Sequence, residues 1–227
     1  MRNLSTPEKF LLLAHHPEKR RFRISPIHLR YGLAGAFLLE LTLEGAVGMQ
    51  RDRLIFKESP PPGRPLMNEI AGMFRELSKP RRIRYWIRRL GRIPGKYKWR
   101  VLGDLEQQRI LRIEKRRLLG LIPYRSSILV NRKLQNDLVR EIRTTVMQKK
   151  DPPDEWVAVL GLIEACRMHR IVSPDRTERK MIRKNLTRIL KESPIAASVD
   201  QTIRQVQAAI IASVAASSAA AASAGGR

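Results

Sequence analysis

The sequence has a single cysteine, Cys166, so no disulfide can form within the chain, which fits a reducing compartment. Aromatic residues make up only 5%, which weakens any function needing many base-stacking platforms. Acidic residues are scarce: 21 Asp and Glu stand against 45 Lys and Arg, a net charge of +24. A cationic substrate is disfavoured, and an anionic partner, either nucleic acid or a membrane surface, is implied. Phosphate-loop and dinucleotide-loop glycine patterns are missing, as are HExxH and GxSxG. Long apolar runs are missing too. Near the start, Phe10 to Leu13 is too short for a signal-peptide core, so no secretion signal is visible. Tyr31 to Leu39 is bounded by Arg30, Glu40 and Glu44, which marks a buried helix instead of a membrane span. The uncharged stretch from Gln205 to Gly226 is mostly Ala and Ser and reads as an Ala-rich helix.

What is present is helical. Hydrophobic residues reach 43% of 227, enough for one large core. Ser5 or Thr6 can cap a helix carrying Pro7 and Glu8 in its first turn, and His15-His16-Pro17 ends it. Arg21 to Ile24 alternates and predicts a short strand. Ile27 to Glu44 predicts a long central helix in which Gly32 and Gly35 allow close approach of a neighbour. Val47 to Phe56 predicts a hairpin, and Ser59 to Pro65 a stiff loop. Further helices are expected over Leu66–Leu77, from Ile83 to a stop at Gly91, Pro94 and Gly95, from Val101, over Leu134–Met147, Glu155–His169 and Arg176–Lys191, and from Val199 onward. A second hairpin is expected over Leu118–Val130 with its tip at Pro123 to Ser127. The fold class is therefore mainly α, a single compact domain over residues 1–200 with two or three short hairpins. Residues 201–227 form an Ala-rich helix on it.

Two features could carry binding chemistry. Lys79 to Arg100 holds ten cations and no acid. Arg81, Arg84, Arg88 and Arg92 are three or four apart, so on a helix they line one face opposite Ile83, Trp86, Ile87 and Leu90. Like charges so placed repel, and an anion relieves them. The alternative is a solvated polar face. Trp86 lies on the apolar stripe, a core position, whereas Trp99 suits core or interface. The second feature is the hairpin, where Leu121, Ile122, Pro123 and Tyr124 put apolar groups near a turn ringed by Arg116, Arg117, Arg125, Arg132 and Lys133. That arrangement suits a wedge into lipid headgroups, a subunit contact or a buried core hairpin. Catalytic signals are poor. Adjacent His15 and His16 diverge on a helix, and Cys166 with His169 is half a zinc site, more simply a buried Cys and a surface His. No metal or other cofactor is expected, and no small-molecule substrate.

The ordered landmarks YGLAGAFLLELTLEG, SPPPGRPLMNEI, WIRRLG, ILRIEKRRLLGLIPYR and WVAVLGLIEA resemble the Golgi phosphoprotein 3 family over nearly the whole chain. The resemblance implies a mainly helical domain that docks on membranes and binds phosphatidylinositol 4-phosphate in a basic pocket. It also implies an apolar hairpin used for membrane or oligomer contacts. Of the family's pocket positions, the Trp falls at Ser25, an Arg at Ala34, one basic residue near Gly95 and another at Lys98, which keeps its charge. The chain starts directly at the domain, like short prokaryotic members, so the coatomer and glycosyltransferase roles of eukaryotic members are not carried over. The expected function is that of a non-catalytic peripheral membrane protein, cytoplasmic and attached to an anionic membrane lipid. Lys98, Lys96 and Arg100 would contact a lipid phosphate, Arg81, Arg84 and Arg88 would add attraction, and a homo-oligomer through residues 118–131 is possible. The rival reading is a nucleic-acid-binding protein.

Overall fold

The computed structural model describes residues 4–57, 63–77, 79–118, 121–148, 152–192 and 197–224. Helix α1 (Thr6–Ala14) starts where the Ser5 backbone N–H and hydroxyl both donate to Glu8 Oε2 at 2.7 Å. Helix α2 (Pro26–Leu43) starts at Ser25, whose Oγ accepts from the His28 N–H, with Pro26 at the first helical position. It is apolar on nearly every side because it is the central element, packed by α1 and by four later helices. Phe37, Leu38 and Leu41 are sealed from solvent, each worth about 1.5–3 kcal/mol of burial. The expected close approach is real. A Cβ at Gly32 would lie 2.4 Å from Phe10 Cζ, and one at Gly35 2.7 Å from Ile210 Cδ1.

Strands β1 (Val47–Gln50) and β2 (Arg53–Phe56) form the first hairpin, with Arg51 in the left-handed region at φ 55°. Helix α3 (Pro65–Arg75) follows, then a two-residue strand β3 (Arg81–Arg82) that extends the sheet against β2. Arg81 is thus not on the helix that the basic spacing suggested. The chain there pairs with Leu54, and helix α4 (Ile83–Gly91) begins only after it. Pro94 and Gly95 also differ from expectation. They open helix α5 (Pro94–Gln107) instead of ending α4, because proline's missing N–H and fixed φ suit the first helical position.

The second hairpin is longer than expected. Strand β4 (Leu111–Leu118) pairs with β5 (Ile122–Leu129) in a register that opposes Leu118 to Ile122. Its turn therefore precedes the expected tip, and Pro123 and Tyr124 are strand residues facing Arg117 and Arg116. The charge-dense β4 carries no clean alternation that would announce it. Helices α6 (Arg132–Gln148), α7 (Asp154–Ala165), α8 (His169–Val172), α9 (Arg176–Glu192) and α10 (Ala197–Ala224) complete the fold. The expected single helix from Glu155 to His169 breaks after Ala165, where Arg167 takes φ 55°. Arg21 to Ile24 forms no strand, only one bridge between His15 and Phe22. Residues 59–62 of the stiff loop and residues 119–120 of the hairpin lie outside the described residues. The mainly α expectation holds, and α10 buries Ile203, Val206 and Ile210 in the same core as α2, α4 and α7.

Candidate anion-binding site

The first turns of α2 and α5 border one cavity of about 360 Å³. Pro26, Ile27, Leu29, Arg30 and Leu33 line it from α2, and Gly95 and Lys98 from α5. Ile27, Arg30 and Leu33 are three apart, so they share a helix face. Both helices present their positive ends to this region. At α5 the effect is undiminished by a side-chain cap, since Ile93 at the N-cap supplies none. Among the described residues no Asp or Glu lines the cavity.

The two cations have unusual surroundings. Lys98 is more than half shielded, and its burial lowers its pKa below the ordinary lysine value. Its Nζ sits 4.7 Å from the Trp99 ring centroid and 5.9 Å from that of Phe22, with no carboxylate partner among the described residues. The Trp99 ambiguity thus resolves toward a half-buried ring beside a cation. Arg30 donates from Nη2 to the Tyr31 hydroxyl at 2.7 Å, which is itself 3.1 Å from Ser217 Oγ on α10. Its Nε is buried without a hydrogen-bond partner. A buried unpaired donor costs about 1–3 kcal/mol. A phosphate monoester carries about −1.5 to −2 charge and several acceptor oxygens, so it fits both cations. The apolar wall of Ile27, Leu29 and Leu33 suits the carbon skeleton beyond the phosphate.

The six expected headgroup cations do not converge. Lys96 and Arg100 turn away from the cavity onto Glu69 of α3, with Lys96 Nζ 2.7 Å from its Oε1. The Lys96 hydrogen bond, reinforced by Arg100, holds the Glu69 carboxyl below the usual carboxylate range. Arg81 lies over the Tyr85 ring, Arg84 borders a shallow groove with Asp52 and α10, and Arg88 is exposed on α4. Trp86 is core, stacked on Phe74 with ring centroids 3.6 Å apart. Arg30 escaped the sequence reading as a site residue. Its only signal was an arginine on an otherwise apolar helix face. The family pocket positions split likewise. Gly95 and Lys98 line the cavity, Ser25 caps α2 beside Pro26, and Ala34 is buried next to Leu33.

At the hairpin turn Leu121 is 83% exposed, and Tyr124 is exposed on β5. Exposed Lys115, Arg116, Arg117 and Arg125 surround them. The base of the hairpin is fixed by His15, whose Nε2 lies 2.9 Å from Ser127 Oγ. Burial lowers the His15 pKa, as expected for an imidazole that stays neutral in the core. Among the described residues no group of three or more His, Cys, Asp or Glu is placed to hold a metal ion. Burial pushes the Cys166 thiol up to about 12, and His169 Nε2 is 2.8 Å from Glu164 Oε2. The carboxylates near the start of α1 have a structural role. Glu8 takes hydrogen bonds from Ser5, Arg64 (2.9 Å) and Gln108 (2.6 Å), and Glu40 takes one from the Thr6 N–H (2.8 Å). Among the described residues no helix is long and apolar enough to cross a membrane.

A comparison with curated proteins found no match. A sequence model of the Golgi phosphoprotein 3 (GPP34) family matches residues 7–206, a span that runs from the first turn of α1 through α9 and contains the cavity and the hairpin. With the landmarks above in the same order, the chain belongs to the Golgi phosphoprotein 3 family.

Proposed function

We propose that the protein is a non-catalytic peripheral membrane protein that binds a phosphorylated lipid headgroup in the α2–α5 cavity. The observation that carries this reading is a cavity with no Asp or Glu among its described lining residues and with Lys98 and Arg30 on its wall. The net charge of +24 supplies long-range attraction to an anionic bilayer, at roughly 1 kcal/mol for each basic residue near the surface. Leu121 at the exposed turn, within a ring of cations, adds retention that salt does not screen. Phosphatidylinositol 4-phosphate is the headgroup that family membership favours, and a cytoplasmic leaflet is where the charge would meet anionic lipid. Lys96 and Arg100 are held by Glu69, so the headgroup contact rests on Lys98 and Arg30.

The test is co-sedimentation at physiological salt with vesicles of phosphatidylcholine alone or with phosphatidylserine, cardiolipin or phosphatidylinositol 4-phosphate. Pelleting with anionic vesicles, strongest for the phosphomonoester headgroup, is expected. Absence of pelleting with every anionic vesicle refutes the reading. Light scattering of the free protein checks the hairpin: self-association lost in Leu121→Ser would assign the turn to a subunit contact instead.

A further inference from the structure

A second cationic cleft shares no lining residue with the α2–α5 cavity. After α7 the chain reverses at Arg167, and the Met168 N–H closes the turn on the Ile163 carbonyl at 2.8 Å. That reversal leads into α8 and sets Arg167, His169 and Arg170 opposite α9. From α9 come Arg176, Arg179, Lys180 and Arg183, spaced i, i+3, i+4, i+7 on one helix face. They enclose about 290 Å³. Among the described residues no carboxylate lines the cleft, and Arg167, Arg170, Arg176, Lys180 and Arg183 make no salt bridge.

Of the neighbouring acids, Glu164 answers part of the cleft's charge, since it pairs with His169 and feels Arg183, while Glu178 is engaged by Arg143 and the Ser173 hydroxyl. Asp175 Oδ1 accepts from the Glu178 N–H at 2.7 Å. Arg179 is held in place by the Pro174 carbonyl at 2.9 Å. Arg167 is the odd residue here. The position after a helix end that takes positive φ favours glycine, and an arginine there costs roughly 1–2 kcal/mol. A strained arginine on the wall of a cleft with a large excess of positive charge is what a binding role would retain.

We propose that the α8–α9 cleft is a second site, for a small soluble ligand carrying two or more phosphate groups. One phosphate monoester brings about −1.5 to −2 charge, far short of six Lys and Arg side chains, whereas a di- or triphosphate chain approaches balance. The volume of this open cleft lies just below the usual range for small-molecule sites, which suits a compact polyanion. The arginine forks match phosphate oxygens in pairs.

The test is titration calorimetry of the full chain with tripolyphosphate at physiological salt and without lipid, using inorganic phosphate as the comparison. The expected result is one site, tighter for tripolyphosphate, in the Lys98→Met background that removes the α2–α5 cavity's contribution. Arg167→Gly, which relieves the backbone strain, and Lys180→Glu should each weaken it at least tenfold. Lys19→Glu, an exposed charge elsewhere, should change it less than threefold. No binding at millimolar tripolyphosphate overturns the proposal. So does equal weakening by Lys19→Glu and Lys180→Glu, which would mark a diffuse field. Vesicle binding lost in Arg167→Gly without tripolyphosphate binding would also overturn it, by making the cleft part of the membrane face. Because no lipid is present in the titration, its failure leaves the headgroup reading untouched.

Discussion

Replacing Lys98 by methionine should make the protein more stable and less able to bind. Lys98 is half-buried among Trp99, Phe22 and the cavity wall, has no carboxylate partner among the described residues, and has its pKa lowered by desolvation. Since the folded-state pKa lies below the unfolded one, the unfolded chain holds that proton more tightly. The cost is present in full at neutral pH and is relieved only as pH rises toward the unfolded value near 10.4. Methionine keeps the length and removes the charge, so a gain of about 0.5–2 kcal/mol is expected, the range found when functional strain is released. For a chain of this size each kcal/mol moves Tm by about 2–4 °C. Differential scanning calorimetry at pH 7 reads the gain. Charge-assisted hydrogen bonds are worth about 1.5–3 kcal/mol, so affinity for phosphomonoester vesicles should fall about 10- to 100-fold. A lower Tm with unchanged vesicle binding would refute the reasoning, since it would make Lys98 a packing residue.

Four further outcomes are expected. Gly32→Ala should cost about 1–3 kcal/mol in urea unfolding, because the new Cβ meets the Phe10 ring and Cys166 Sγ at the α1–α2 crossing. Leu121→Ser should leave unfolding within about 0.5 kcal/mol of wild type, the range for exposed positions, yet release the protein from anionic vesicles at high salt. Glu8→Ala should destabilise by about 1–3 kcal/mol, because Ser5, Arg64 and Gln108 each lose a hydrogen bond to a buried carboxylate. Acidification should also loosen the hairpin base. The folded-state pKa of His15 is lowered, so stability falls as pH drops through the unfolded value near 6.5 and stops falling below the folded one. His15→Asn should flatten that part of the urea-midpoint profile, and an unchanged profile would count against His15.

The helices were legible because their apolar positions repeat at three and four residues, as at Ile83, Trp86, Ile87 and Leu90, all buried. What failed to show in sequence was direction and pairing. Pro94 and Gly95 carry the same punctuation whether a helix ends or begins there, and only packing of Tyr97, Val101 and Leu102 decides it. The register of β4 against β5 depends on where the turn closes, and no turn dipeptide marks it. The basic run Lys79 to Arg100 read as one surface because composition ignores the rest of the chain. Glu69, twenty-seven residues before Lys96, takes two of its cations, and Asp52 takes Arg82 at 2.6 Å. Lys98 was found from its place in a family pattern. Arg30 needed the fold, since Lys98 across the cavity is far away in sequence, and the α8–α9 cations needed the reversal at Arg167 that turns α8 toward α9.

The central claim is that one cavity, and not the net charge, selects the headgroup. Lys96 and Lys98 provide the sharpest comparison, because they are two residues apart and carry the same charge, yet only Lys98 lines the cavity while Lys96 pairs with Glu69. Lys96→Met and Lys98→Met should be compared by co-sedimentation with vesicles of phosphatidylinositol 4-phosphate and with phosphatidylserine vesicles of matched charge. The account predicts a loss of tenfold or more for Lys98→Met on the phosphomonoester vesicles. It predicts no more than about fivefold for Lys96→Met, the equivalent of roughly 1 kcal/mol of surface attraction. Equal losses for the two variants on both vesicle types would contradict it.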